Sequence, residues 1–350
     1  MAAILKQVGA NVEIVASSPE AMLRIPDGQG FKDISFRNFA SSLSVKNRLK
    51  LMYLTVKSMF VTSPKGSFKN WFFPFIDDPW LIKMADSFCG WSLSMTCDKV
   101  PAEEMLAIIK HLYRYGGPGI PVGGCGAVID ALETVILSGG GEIHTSSQVN
   151  RILITDGRAT GVETSTHSPS ADVIISDIGH KATMQLYDQP LTDEFKEYYT
   201  IVNKTRPSEG IKICLGTDKP LIGHSGVLLT PYARRINGIN EVSNTDPSFA
   251  PKGKHLVMSH QVLRSNDIHT EIMLGLDDLR ELFPDEDYEV LMVQTYRNDW
   301  PVNRAGSGSY LGNTTPVAGL YVVGDGAKGK GGMEVEGIAM GVDNTMRFIE

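Results

Sequence analysis

The segment Leu320–Ile349 constrains this chain more than any other stretch. Leu320, Tyr321, Val322 and Val323 form an apolar run closed by Gly324, which predicts a short buried strand. From Val335 the apolar residues Ile338, Ala339, Val342, Met346 and Ile349 recur at helical spacing, so a helix with one buried face is predicted over 333–349. Between strand and helix lie Gly324, Asp325, Gly326, Gly329, Gly331 and Gly332. Glycine lets the backbone approach a ligand closely, and a helix N-terminus offers unpaired N–H groups to an anion. A carboxylate such as Asp325 repels phosphate but accepts a hydrogen bond from a sugar hydroxyl. This order of elements suits a ligand that carries both phosphates and hydroxyls. An ordinary Gly-rich turn is the plain alternative.

A second block lies upstream. Tyr115–Gly124 reads as a Gly- and Pro-rich loop, Ala127–Leu137 as a helix, and Gly139-Gly140-Gly141 as its stop. Glu142–Thr145 and Gln148–Thr155 are predicted as short strands, with Asp156-Gly157 as a hairpin turn and Arg158–Thr164 as the returning strand. Ala171–Ser176 reads as another buried strand.

With Val335-Glu336-Gly337 and Gly341 behind it, the Leu320–Ile349 segment resembles the C-terminal signature of the amine oxidase and phytoene (carotenoid) desaturase flavoproteins, a superfamily of FAD-dependent oxidoreductases. The resemblance implies that Gly324, Asp325, Gly326 and the backbone around Glu336 and Gly337 contact FAD, with the acidic residue beside the ribityl–pyrophosphate region. The second block is similar to the same family, and the likeness implies that Val149 touches the adenine through its backbone. The strand Gly210–Gly216 resembles the amine oxidase strand whose lysine holds a water near the flavin. Lys212 takes that place as the candidate catalytic residue, a solvent-side lysine being the plain alternative. Trp300-Pro301 and Asn303-Arg304 fall where family members place residues near the isoalloxazine.

The family's N-terminal G-x-G-x-x-G turn, within a βαβ unit of roughly 30 residues, has no counterpart here. The expected fold class is therefore α/β: an incomplete FAD-binding Rossmann-like domain of the glutathione-reductase type, with a mixed-sheet plus helical substrate domain. The FAD-binding part is expected in 1–29, 113–179 and 301–350, and the substrate part in 30–112 and 180–300. A chain lacking the pyrophosphate-binding turn is expected to hold flavin weakly and to dissolve poorly.

Within 30–112 the sequence reads as mainly helical. Trp71, Phe72, Phe73, Phe75, Trp80, Phe88 and Trp91 suit either a helical core or the lining of a lipophilic tunnel. Ser44–Phe60 carries Lys46, Arg48, Lys50 and Lys57 among apolar residues. Such a helix either rests on anionic lipid or shows a solvated basic face above a core.

Composition excludes several classes. A net charge of −7 disfavours nucleic-acid binding, and no apolar run reaches the roughly 18 residues of a membrane span. Cys89, Cys97, Cys125 and Cys214 share no C-x-x-C spacing, so no metal is expected. Gly223-His224-Ser225-Gly226 is not a hydrolase elbow, and Lys328-Gly329-Lys330 lacks P-loop spacing. A cytoplasmic protein, with peripheral membrane contact as an option, is expected. The resemblance implies hydride transfer from a small lipophilic, isoprenoid-like substrate to FAD, and an electron acceptor whose nature the sequence leaves open. An amine oxidase-type enzyme is one alternative. A non-catalytic lipid binder, like the prenyl-protein carriers that share the fold, is the other.

Overall fold

A computed structural model describes residues 1–61, 64–76, 78–188, 192–298 and 304–349. The chain begins α1 (Ala2–Gln7), β1 (Ile14–Ala16), β2 (Ala21–Asp27), β3 (Gly30–Ser35), α2 (Val45–Phe60), α3 (Phe68–Phe72), α4 (Pro79–Leu93) and α5 (Ala102–Tyr115). It continues β4 (Gly119–Pro121), α6 (Gly124–Ser138), β5 (Val149–Thr155), β6 (Arg158–Thr164), β7 (Ile174–Ser176), α7 (Gly179–Met184) and α8 (Asp193–Lys204). Then come β8 (Gly210–Thr217), β9 (Val227–Leu229), β10 (Ile236–Glu241), β11 (His255–Val262), α9 (Ile268–Leu282), β12 (Glu289–Tyr296), β13 (Leu320–Val322) and α10 (Glu334–Ile349).

Two compact units result. One holds Asn11–Ala131 and Glu209–Arg297. It is built on a mixed seven-stranded sheet in the order β12-β8-β11-β10-β9-β2-β3, where β2 and β9 run parallel and the other neighbours antiparallel. Alternation in β8 explains its burial. Ile211, Ile213 and Leu215 point to one face, where they meet Leu279, Leu282 and Phe283 of α9 and its C-cap. α4 covers part of the other face. Its Trp91 indole lies where a Cβ on Gly238 would clash, and the Trp91 Nε1–H donates to Asn240 Oδ1 at 2.8 Å. The N-terminus of α4 is set by Asp78, which accepts from Trp80 N, with Pro79 in the first turn. Asp278 of α9 is 1% exposed, yet its carboxylate accepts the backbone N–H groups of Arg234, Arg235 and Ile236. That satisfied carboxylate ties α9 to the turn between β9 and β10.

The aromatic residues of 71–91 mostly enter cores. Phe72, Phe73 and Trp80 pack around Leu43, Leu54, Ile76 and Leu81, while Phe88 and Trp91 pack around Leu23, Val227 and Leu229. Helix dominates 30–112 only from Val45 onward, because β3 pairs with β2 in the large sheet.

The other unit holds Met1–Ala10, Leu132–Ser208 and Asn298–Glu350. Its β13 runs parallel to β7, with Leu320 opposite Ile174 and Val322 opposite Ser176. The β5–β6 hairpin turns at Asp156 and Gly157 with φ of 50° and 76°, as the sequence pair requires. Its turn abuts the start of β13, since Ala318 N–H donates to Gly157 O and Ala159 N–H to Ala318 O. Glu142–Thr145, predicted as a strand, is irregular: Ile143 is exposed, and no ladder partner for it occurs among the described residues.

The compact units divide at 10/11, 131/132, 208/209 and 297/298, whereas the FAD-binding and substrate parts are expected from sequence to divide at 29/30, 112/113, 179/180 and 300/301. Two packings set the divisions at 10/11 and 208/209. β2 joins the seven-stranded sheet, and Tyr187, Phe195 and Val202 pack with Ile152, Val317 and Leu320.

Candidate functional site

β7 and β13 end side by side, as parallel strands do in sheets that bind ligands at their carboxyl ends. Asp177 follows β7, and Gly324-Asp325 follow β13. Gly324 has φ of +86°, and a Cβ there would sit 1.6 Å from Asp177 Oδ1. Only glycine permits this approach of backbone to carboxylate. The following loop folds back on α10. Gly329 N–H donates to Gly337 O at 2.7 Å, and a Cβ on Gly341 would lie 2.5 Å from Ala327 O.

Charge concentrates at this strand end. Arg304 and Lys328 are each 6% exposed. The Lys328 ammonium lies 2.6 Å from Asp325 Oδ1, and Arg304 Nε lies 3.2 Å from Asp325 Oδ2. Arg304 also pairs with Glu334 at the start of α10. Arg304 is itself fixed through the backbone, since its carbonyl accepts from Ser208 N–H at 2.9 Å. Asp177 is drawn the other way. Burial, then the Asp325 charge beside it, raise its pKa above the ordinary carboxylate value. Asn313, 3% exposed, donates from Nδ2 to Val322 O at 2.9 Å and to Ala327 O at 2.8 Å. It clamps β13 to the loop that follows.

A recess next to this end is lined by His180, Thr205, Pro207, Ala305, Leu311 and Gly326. Burial pushes the His180 imidazole below its usual pKa. Its Nε2 lies 2.9 Å from Gly312 O, so that nitrogen carries the proton, and Nδ1 accepts from Tyr198 OH at 2.7 Å.

The sequence profile of the family described as flavin-containing amine oxidoreductase matches residues 17–337. The chain belongs to that family. An uncharacterized protein of Methanocaldococcus jannaschii is 38% identical over 349 residues, covering 100% of this chain and 83% of its own length. A solved oxidoreductase from Methanosarcina mazei is 51% identical with a TM-score of 0.95, covering 99% of this chain and 84% of that one. A chloroplastic prolycopene isomerase of an Oncidium hybrid cultivar is 27% identical over 296 residues, covering 72% of this chain and 49% of that protein.

The structure of this family member gathers Gly324, Asp325, Gly326, Glu336 and Gly337 into the β13–loop–α10 segment. The Glu336 and Gly337 N–H groups donate to Met333 O, and the Glu336 carboxylate lies 2.8 Å from the Met1 ammonium. Their N–H groups are therefore used within the chain, and a Cβ on Gly337 would lie 3.0 Å from Gly332 O. Val149 sits on the β5–β6 hairpin opposite Thr164, at the end away from the turn that meets Ala318. Lys212 belongs to the other compact unit, half-buried on β8 between His260 of β11 and Gln294 of β12. Trp300, Pro301 and Asn303 lie outside the described residues, whereas Arg304 is described.

The structure adds to the sequence reading of Asp325 that its carboxylate is held between two buried cations. Arg304 was expected near the isoalloxazine, but Lys328, Asp177, Asn313 and His180 were not read as site residues from sequence. Lys328 had a visible signal, three residues beyond Asp325 in the glycine loop. The others come from remote segments and have no local pattern.

Proposed function

We propose that this chain is an FAD-dependent oxidoreductase of the phytoene desaturase-like type, acting on a small lipophilic, isoprenoid-like substrate. The observation that carries the reading is the parallel β7–β13 end with its glycine-backed carboxylate. The unit containing β13 is the FAD-binding part, and the unit with the seven-stranded sheet is the substrate part. The residues fit a dinucleotide. Gly324 lets the backbone lie against the Asp177 carboxylate at the strand end, and Asp325 keeps 23% of its side chain exposed. An ionised carboxylate has about four lone-pair sites, so two cations leave room for hydroxyl donors. Arg304 and Lys328 also bring positive charge near where phosphate oxygens would have to be offset.

A flavin held there supplies hydride acceptance from a C–H bond, chemistry that belongs to the cofactor. The protein's part is positioning. Arg304 and Lys328 fix the Asp325 carboxylate, and Asn313 fixes the loop that carries it. His180, neutral with its proton on Nε2, holds the recess wall through Gly312 and Tyr198 without adding charge. Lys212 is the candidate catalytic group, a cation suited to orienting a water. The likeness to a prolycopene isomerase supports a polyene or isoprenoid substrate over an amine.

The decisive measurement is the visible absorption of purified protein reconstituted with FAD, followed anaerobically with substrates. Expected are a bound flavin released as FAD, bleaching by a lipophilic polyene, and a Lys212→Met variant with full flavin content but reduced turnover. Absence of bound flavin after reconstitution points to a lipid binder. Bleaching by amines alone points to an amine oxidase. Either result overturns the proposal.

A further inference from the structure

α2 is turned inside out. Val45, Leu49, Met52, Tyr53, Val56, Met59 and Phe60 are all exposed, from 51% at Val56 to 80% at Phe60. Their spacing places them in one stripe along the helix. The inward side carries polar residues instead. Asn47, Thr55 and Ser58 are half-buried there beside Leu51 and the fully buried Leu54. Their polar groups are satisfied internally: Asn47 Nδ2 donates to Asp78 Oδ2 at 3.0 Å, Thr55 Oγ1 to Leu51 O at 3.0 Å, and Ser58 Oγ to Thr55 O at 2.7 Å. The outward face of the folded chain is therefore its apolar face. Isolated exposed apolar residues are ordinary, but a contiguous row marks an interaction surface.

Charge says what kind of surface. The whole chain is acidic, with 40 Asp and Glu against 33 Lys and Arg. α2 runs against that balance, with Lys46, Arg48, Lys50 and Lys57 and no acidic residue. Projected at about 3.6 residues per turn, Lys46, Lys50 and Lys57 fall along one border of the apolar stripe and Arg48 along the other. Apolar centre and basic borders together match a lipid interface, where the stripe enters the acyl boundary and the cations stay at headgroup level. A protein partner would bury the stripe equally well, but it would not call for cations on both borders and no acid. Aromatic residues add to the same end of the unit. Phe75 is 38% exposed under the Lys57 ammonium, 4.4 Å from it, and Lys110 of α5 donates to Val61 O just past α2. Tyr113 and Tyr115, one turn beyond Lys110, are 75% and 66% exposed.

We propose that α2 docks this protein on an anionic lipid bilayer, lying in the plane of the interface. The attachment is peripheral, since no helix among the described residues is long and apolar enough to cross a membrane. It stands whether or not flavin binds.

The test is flotation of the full chain with vesicles. One set contains phosphatidylglycerol and phosphatidylcholine, the other phosphatidylcholine alone. Aggregated protein stays at the bottom of such a gradient, so only bound protein rises. The expected result is flotation with anionic vesicles that weakens in high salt and is far smaller with phosphatidylcholine. Lys46→Gln with Lys50→Gln lowers partitioning by on the order of tenfold, as two interfacial cations should. Met52→Glu with Val56→Glu abolishes flotation, with an unchanged circular-dichroism melt because both side chains are exposed. Protein that stays at the bottom with anionic vesicles overturns the proposal. So does flotation indifferent to lipid charge and to the lysine changes. A dimer in light scattering, lost in the Met52→Glu/Val56→Glu variant while no flotation occurs, would assign the face to a second copy of the chain.

Discussion

Replacing Gly324 by Ala tests how the strand end is built. Two separate costs are expected. The first is conformational: φ of +86° puts an L side chain in a region that costs roughly 1–2 kcal/mol. The second is steric. The added methyl would lie 1.6 Å from Asp177 Oδ1 and 2.8 Å from its Cγ, so the Asp177 side chain has to move away. Overpacking of that kind costs about 1–3 kcal/mol. The sum is about 2–5 kcal/mol, read as a shift of the urea midpoint by far-UV circular dichroism. The two parts can be separated by adding Asp177→Ala, which removes the atoms that clash but leaves φ unchanged. The double variant is expected to recover the steric part, a coupling of about 1–3 kcal/mol in a double-mutant cycle, and to keep the conformational part. A Gly324→Ala protein within about 0.5 kcal/mol of the parent, or strict additivity in the cycle, refutes the close packing of the two strand ends.

Asp325→Ala leaves the buried Arg304 and Lys328 without their shared carboxylate. Its cost in urea unfolding is expected near the lower end of the roughly 3–5 kcal/mol for breaking a buried pair, because Glu334 still holds Arg304. Flavin titration of the same variant should show weaker binding, and unchanged affinity would make Asp325 a structural residue only. Asn313→Ala removes two donors from buried carbonyls and should cost about 2 kcal/mol in thermal or urea unfolding, while Asn313→Asp, which faces acceptors with a charge, should cost more. Asp177→Asn should stabilise the protein at neutral pH. The raised pKa means the folded chain binds this proton more tightly than the unfolded one, so stability falls as pH climbs from 3.8 through the raised value. Asn cannot ionise, and the gain over the parent should therefore shrink as unfolding is repeated at pH values approaching 3.8.

The β13–loop–α10 segment was legible in the sequence because its signals are local. The apolar run Leu320–Val323, the glycines after it and the helical repeat from Val335 each report the conformation of a few neighbouring residues. The same holds for the Asp156-Gly157 hairpin and for the helix after Ser44, whose hydroxyl accepts from Asn47 N–H. A local alternation can also mislead, as in Glu142–Thr145, which pairs with no strand among the described residues.

What surrounds Asp325 was not legible. Arg304, expected only near the isoalloxazine, meets the Asp325 carboxylate, and Asn313 meets the Ala327 carbonyl, because the chain before β13 folds back along that strand; Asp177 lies beside Gly324 only because β7 and β13 run parallel in one register. His180 and Tyr198 meet through the packing of α7 and α8. The division into units likewise depends on which sheet β2 joins and on where α8 packs. α2 makes the same point most simply. Its sequence determines that one side is apolar and bordered by cations, but periodicity is blind to direction. Only the tertiary structure turned Asn47, Thr55 and Ser58 inward and left Met52 and Phe60 outside, because the burial of one face depends on what packs against it.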